Sequence, residues 1–367
     1  MTLILDDTKL RWHRDRVLQW MAGERIAPIE IDMALTRACQ YNCVYCYGKL
    51  QENVGDVINE RVMRDLLDDA AEMGVKSIAF QGDGESTLNK ALVPAVRHGH
   101  VLGLDFGMST NGHALTEEIL QELMPRMRWI RVNFSAGDPL AYAKVMGVTV
   151  QDYEKVVRNI SRMVQIKAER GLGTTLGMQM VCRPQDIDQA APYVKLAQSL
   201  GVDYAQIKHC ADNNAGSLGI DYTRYTEVTK VLEHLVAEAG AQHTQVSVKF
   251  SKMADGDSRT YNRCFGPRFL LQISGSGLVA PCGMMFDDAH KDFWIGNICR
   301  TRLRHIWKSD AYWAIMDRLS SPEFNPSRYC GSLCVQHCPN KWLNADHKLY
   351  DMFPGPSEQE PEHVNFI

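Results

Sequence analysis

Three cysteines, Cys39, Cys43 and Cys46, stand in the pattern C-x3-C-x2-C. Thiolates are metal ligands, and three of them can hold three corners of a [4Fe–4S] cube while the fourth iron stays open to another ligand. Structural zinc wants four closed ligands, yet the next Cys or His after Cys46 is as distant as His98, so zinc is the weaker reading. Eleven cysteines in a chain with neither a secretory n-region nor a long apolar run point to metal rather than to disulfides. Polar runs follow at intervals: GDGEST at 82–87, STNG at 109–112 and VNFS at 132–135. Taken alone, each is equally a turn or a cap.

The stretch RACQYNCVYCYGK around the three cysteines resembles the signature loop of the radical S-adenosylmethionine (SAM) superfamily, and the order of motifs follows that family over roughly the first 210 residues. The resemblance implies that Cys39, Cys43 and Cys46 hold a [4Fe–4S] cluster. SAM would chelate the open iron, and reductive cleavage of SAM would yield a carbon radical able to remove hydrogen from an unactivated C–H bond. It also implies that Tyr45, before the last cysteine, packs on adenine, as stacking alone would favour. Asp83, Gly84 and Glu85 match the Gly-Gly-Glu motif that binds the SAM amino group, with Asp83 in place of the first glycine. Ser109 and Asn111 match contacts to ribose or methionine, and Ser135 a contact to carboxylate or ribose; Gln179 is a further candidate contact.

A second set of cysteines lies toward the C-terminus. Cys264, twelve residues, Gly277, four residues and Cys282 are followed by Cys330, Cys334 and Cys338. LLQISGSGLVAPC reads as two apolar runs around a Ser-Gly-Ser-Gly turn, a hairpin. The pattern is similar to the SPASM and twitch extensions, which implies one auxiliary [4Fe–4S] cluster on Cys264, Cys282 and two of the last three cysteines. Cys334 and Cys338 are the first choice, with Cys330 as the alternative, and a four-thiolate zinc site is the competing reading. Of the remaining cysteines, Cys299 reads as a small buried residue. Cys182 and Cys210 each end a strand and read either as core or as groups near the mouth of the fold.

The elements that must position these residues follow from periodicity. PIEIDMAL at 28–35 reads as a strand, and Asn59 to Gly74 carries a helical apolar stripe closed by glycine. Strands are expected near 75–80, 104–108, 129–134, 175–181 and 203–208, with helices between, for example 151–168 and 186–199, and another at 222–239. Six strand-then-helix units give a parallel sheet curled into a partial (β/α)6 barrel, an α/β fold whose chemistry sits at the C-terminal ends of its strands. The expected division is a barrel with a short N-terminal helix over 1–255, a small cysteine-rich α+β extension over 256–345, and an acidic, proline-containing tail over 346–367. The tail reads as disordered or as a flap over the barrel mouth.

With 45% hydrophobic and 23% charged residues, the composition is that of an ordinary soluble globular protein, and the net charge of −4 argues against a nucleic-acid partner. No membrane partner and a cytoplasmic location are expected. The principal functional reading is hydrogen abstraction from a small polar substrate such as a carbohydrate, aminocyclitol or nucleotide-linked sugar, followed by oxidation with the auxiliary cluster as electron acceptor. His209, Lys208 or Arg183 would serve as base. An external one-electron reductant such as flavodoxin or ferredoxin is implied. The alternatives are an epimerase with Cys210 or Cys182 as thiol hydrogen donor, and a peptide-modifying maturase. Only 38 residues precede Cys39, where many peptide-modifying members carry a leader-binding domain. A protein limited to electron transfer or metal binding is the third reading.

Overall fold

The computed structural model describes residues 3–51, 53, 55–240, 242–255, 259–331 and 334–367. Ten strands are present among them: β1 (Glu30–Met33), β2 (Ser77–Phe80), β3 (Asp105–Thr110), β4 (Met127–Asn133), β5 (Thr175–Cys182), β6 (Tyr204–His209), β7 (Gln245–Val248), β8 (Leu270–Ile273), β9 (Leu278–Ala280) and β10 (Gly296–Asn297). They form one sheet in the order β10-β9-β8-β1-β2-β3-β4-β5-β6-β7. Every neighbouring pair from β8 through β7 is parallel, whereas β8/β9 and β9/β10 are antiparallel.

Alternation along the strands separates two faces. Ile31, Met33, Ile78, Phe80, Phe106, Met108, Ile130 and Val132 point into one apolar layer beneath the helices, and each is almost fully buried. Each contributes about 1.5–3 kcal/mol by leaving water. The helices are delimited as the sequence implies. Glu60–Met73 starts where the Asn59 side chain accepts from Val62 N–H and stops at Gly74 with φ 86°. Val150–Arg170 opens with a Thr149/Asp152 capping box and closes at Gly171.

The intervening residues face a polar lumen. Asp32 accepts from Gln81 Nε2 at 2.8 Å and from Gln272 Nε2 at 3.0 Å, and Arg131 donates to Ser109 Oγ at 2.7 Å and Gln81 Oε1 at 3.0 Å. The sheet extends beyond the six expected units at both edges. The seventh parallel strand, β7, is the short half-buried run QVSV, which has too little apolar weight to stand out in sequence. The first arm of the C-terminal hairpin, β8, pairs in register with β1, so the extension continues the barrel sheet. The expected boundary at 255/256 falls at Gly256–Ser258, which lie outside the described residues.

The tail does not cross the mouth. Residues 363–367 enter the opposite end of the barrel, where Ile367 N–H donates to Glu30 Oε2 at 2.8 Å, Ser77 Oγ donates to Asn365 O at 2.6 Å, and Phe366 packs edge-on against Trp129. The N-terminal segment lies alongside β7 with Leu3 N–H on Gln245 Oε1 and Leu5 O accepting from Gln206 Nε2. No described helix is long and apolar enough to cross a membrane.

Candidate functional site

The loop after β1 carries Cys39, which is exposed, and Cys43 and Cys46, which are half-buried. Burial pushes the Cys43 thiol up to about 12, and the neighbouring Cys46 and Cys39 add to the shift. Asn111 Nδ2 and Tyr41 N–H both point at Cys39 Sγ, at 3.7 and 3.4 Å, which presets its position. Arg37 fastens the loop from below by donating to the carbonyls of Gly48, Gln51 and Asn53.

At the end of β2, Gly84 has φ 152°, and a Cβ there would collide with the carbonyl oxygen of Thr36. Glu85 follows, buried, with its N–H bonded to Ala38 O. Its Oε1 accepts from Thr87 N–H and from the hydroxyls of Thr87 and Thr110, while Oε2 accepts from Asn111 N–H at 2.7 Å. A carboxylate oxygen has room for more than one donor, so Oε2 retains capacity for an incoming ammonium. Asp83 does not share that orientation. Its Oδ1 accepts from Gly275 N–H in the C-terminal hairpin at 2.9 Å and its Oδ2 lies 3.2 Å from Arg37 Nε, so it is spent joining the loop to the hairpin. Its side chain thus turns away from the Glu85 carboxylate, while its backbone stays in the turn after β2.

Tyr45 is packed on the apolar layer with its hydroxyl between Ser135 Oγ (2.8 Å) and Met146 Sδ (3.0 Å). Ser135 gives its one proton to Tyr45 and accepts from Val181 N–H, so it holds the tyrosine and strand β5 in place. Ser109 is turned into the lumen to support Arg131, and Gln179 donates to Asn133 Oδ1 there. Of the expected contacts to SAM, Tyr45, Gly84, Glu85 and Asn111 lie at the cluster loop, Asp83 and Ser135 hold that loop through Arg37 and Tyr45, and Ser109 and Gln179 turn into the lumen.

The C-terminal cysteines divide likewise. Cys264, Cys282, Cys330 and Cys334 converge: burial raises Cys264, Cys282 and Cys330, and in each case the next largest influence is the neighbouring Cys334. Asn340 Nδ2 lies 3.4 Å from Cys264 Sγ and 4.0 Å from Cys334 Sγ. Cys338 is raised by burial too, but it faces Lys252, Asp7 and Lys249 rather than other thiols. Cys299 lies half-buried near Gly277, apart from both sets. Among the described residues no three His, Cys, Asp or Glu side chains close around a single metal ion. Within each set thiols nevertheless lie close enough to raise a neighbour, as at Cys43 and at Cys264, which fits the wider spacing of an iron–sulfur cube.

The five expected catalytic residues end β5 and β6 but do not share one environment. Cys182 is fully buried in the apolar layer, and Arg183 is clamped to Asp186 at 2.5 and 3.0 Å. His209 continues the helix-facing side set by Ala205 and Ile207, and burial together with Lys252 and Lys208 pushes its imidazole well down. Cys210 is buried beyond the strand end with Sγ on Ala211 O. Only Lys208 shares the lumen side of β6 with Tyr204 and Gln206. Residues that the sequence did not single out, notably Arg131 and Gln81, fill this lumen; the one available signal was a charged residue inside the buried run WIRVNF.

A three-thiol loop with a buried carboxylate beside it, and a second thiol set flanking the β8–β9 hairpin of the same sheet, fit an iron–sulfur protein. The radical SAM superfamily model matches residues 33–183, and the SPASM iron–sulfur cluster-binding domain model matches residues 264–339. The chain is a member of the radical SAM superfamily with a C-terminal SPASM domain, and its cofactors are SAM and [4Fe–4S] clusters, an auxiliary one included. The chain is 23% identical over 305 residues to a tungsten-containing aldehyde ferredoxin oxidoreductase cofactor-modifying protein of Pyrococcus furiosus, covering 76% of this chain and 81% of that protein. It is 24% identical over 300 residues to a PqqA peptide cyclase of Xanthomonas axonopodis, covering 76% and 77%. Among solved structures, Streptococcus suis SuiB bound to S-adenosylmethionine superposes with TM-score 0.63 at 15% identity over 83% of this chain and 71% of that one. Native anSMEcpe with bound AdoMet gives 0.61 at 15% identity over 89% and 96%. These likenesses establish the fold.

Proposed function

We propose that the chain is a peptide-modifying radical SAM enzyme that abstracts hydrogen from a C–H bond of its substrate and passes the second electron to the auxiliary cluster. The observation that carries the chemistry is the Glu85 carboxylate, buried beside the Cys39–Cys46 loop with one oxygen still open to a donor. The substrate class rests on the relatives, which include PqqA peptide cyclases and SuiB, solved bound to the precursor peptide SuiA. These fit a peptide better than the carbohydrate expected from sequence.

Cys39, Cys43 and Cys46 would hold the first cluster, and Cys264, Cys282, Cys330 and Cys334 the auxiliary one, with Cys338 outside it. When bound, the first cluster and SAM supply the carbon radical that takes hydrogen from the substrate, and the auxiliary cluster supplies an electron acceptor. Glu85 Oε2 orients the SAM ammonium, and Asn111 holds both Glu85 and Cys39. Tyr45, fixed by Ser135 and Met146, offers its ring to adenine. The test is anaerobic reconstitution with iron and sulfide, with iron and 5′-deoxyadenosine counted for wild type and for Cys39→Ala/Cys43→Ala/Cys46→Ala. About eight irons in wild type, and about four in the variant with nucleoside release lost, is the expected result. Four irons in wild type, or nucleoside release by the variant, would overturn the assignment.

A further inference from the structure

The helix His337–Asn344 lays a stripe of amides against the segment that carries Cys264 and Cys282. Gln336, Asn340 and Asn344 recur at every fourth residue and so share one face. Gln336 Nε2 donates to Leu270 O at 3.1 Å and to Pro281 O at 3.4 Å, and Asn344 Nδ2 donates to Arg263 O at 3.1 Å. Asn340, in the middle of the stripe and fully buried, is held from both sides. Its Oδ1 accepts from Phe265 N–H at 2.7 Å and from Gly266 N–H at 2.9 Å, the two peptide groups that follow Cys264. An oxygen so engaged fixes which way the amide is turned. Nδ2 therefore faces sulfur, 3.4 Å from Cys264 Sγ and 4.0 Å from Cys334 Sγ.

An N–H on sulfur matters for redox chemistry because the bond strengthens with the charge on its acceptor. One-electron reduction adds negative charge that a cluster spreads over its sulfurs, so a donor fixed on two ligand thiolates stabilises the reduced state and raises the potential. Tyr261 also reaches Cys334, but its single phenolic proton has a second claimant. Asp255 Oδ2 holds His337 Nε2–H at 2.7 Å, which leaves Nδ1 of the neutral ring to accept from Tyr261 at 3.1 Å. Asn340 Nδ2, among the described residues, bonds to the two sulfurs alone. We propose that Asn340 is a positioning residue of the auxiliary centre, whose amide donates to the sulfurs of Cys264 and Cys334 and raises the reduction potential of the cluster they hold. This deepens the reading above and rests on it for the ligand set and the direction of electron flow. There the substrate radical loses one electron and one proton, the electron reducing the auxiliary cluster and the proton passing to solvent. A higher potential favours that uptake.

The potential can be read without turnover. The full chain carrying Cys39→Ala/Cys43→Ala/Cys46→Ala, reconstituted with iron and sulfide, leaves the auxiliary cluster as the source of the EPR signal on reduction, and a redox titration followed by EPR gives its midpoint. In that background Asn340→Leu, which removes the donor at similar size, should lower the midpoint by ~59 mV, tenfold in a one-electron equilibrium. Asn344→Leu strips a neighbouring amide of the same stripe from carbonyl partners only and should leave the midpoint in place. Asn340→Asp keeps an oxygen on Phe265 and Gly266 N–H, so it carries the comparison even where Asn340→Leu loads no iron; it should lower the midpoint by about tenfold more in equilibrium than Asn344→Asp, which adds the same charge one turn away. Equal shifts at the two positions, or no shift at 340, would overturn the proposal. An independent check leaves Asn340 unsubstituted: with asparagine labelled at its side-chain nitrogen by nitrogen-15, pulsed EPR of the reduced cluster should show a nitrogen coupling that changes with the isotope, and its absence would overturn the contact. The two readings fail apart. About four irons with a midpoint indifferent to position 340 removes Asn340 alone, whereas no auxiliary iron in the unsubstituted background removes the ligand set itself.

Discussion

Glu85 concentrates the chemistry of the loop in one side chain, because its carboxylate both knits β2 to β3 through Thr110 and Asn111 and keeps a lone pair for the ligand. Glu85→Ala leaves buried donors unpaired and removes a charge-assisted contact worth ~1.5–3 kcal/mol, so SAM affinity should fall by about tenfold or more in equilibrium dialysis. Glu85→Gln should fall in between, and equal affinity in all three proteins would remove Glu85 from the site. At Cys43, the raised thiol has a consequence for cluster assembly. A thiolate is the metal ligand, and a thiol held near 12 is protonated through the physiological range, so loading must expel its proton. Iron uptake at limiting iron and sulfide should therefore rise between about pH 7 and about pH 9, with proton release measurable in weak buffer; a flat profile would show the thiols already ionised. For the apo protein the sign is opposite: a folded value above the unfolded one of about 8.5 stabilises below that pH, and the contribution fades as pH climbs through the folded value. Glu85 was legible from GDGEST once the cysteines were in view. Asp83 was not, since its partner Gly275 lies 192 residues away and no local pattern announces it.

The strand–turn that carries Gly84 is fixed by backbone fit. Its φ of 152° and the absence of space for a Cβ against the Thr36 carbonyl leave no other residue type unstrained there, whereas position 83 tolerates aspartate because its side chain has the hairpin to bind. Gly84→Ala should cost ~1–3 kcal/mol in local strain. Part of it would appear as a lower Tm and part as weakened SAM binding, because the cluster loop and Glu85 meet at this turn. A variant with wild-type Tm and wild-type SAM affinity would show that the loop can yield. Strand alternation made most of the sheet readable, since the layer beneath the helices needs apolar residues at every second position. The pairing of β8 with β1 was hidden, because the hairpin signal in LLQISGSGLVAPC specifies the β8–β9 contact and is silent about which older strand receives it. The helix-facing turn of His209 and the clamp of Arg183 by Asp186 were hidden for a similar reason: strand ends were readable, but not the direction of each side chain at them.

At the scale of the whole molecule, the barrel is a tube with two different ends. The cluster loop and Glu85 sit at one, and the chain's own termini close the other. The closing contacts of residues 363–367 are specific: Ile367 on Glu30, Asn365 on Ser77 and Asp105, His363 on Thr175, and Phe366 against Trp129. Sequence suggested disorder or a flap because the acidic, proline-bearing stretch before them dominates the composition, while two apolar residues at its end supply the anchor. Phe366 and Ile367 are each more than nine-tenths buried, and losing their burial would cost ~3–6 kcal/mol together. Removing residues 363–367 should therefore lower Tm by roughly 4–8 °C, given about 1.3 °C per kcal/mol for a chain of this length. Hydrogen exchange should rise at the first residues of β1, β2 and β3, where Glu30, Ser77 and Asp105 lose their partners. Protection at Glu85 and Asn111 should hold, because the SAM-facing end takes no contact from the tail. If the truncated protein melts with wild type and exchanges like it at Ser77 and Asp105, the tail is not the plug; if exchange rises equally at both ends, the barrel unfolds as one unit and the two ends are not independent.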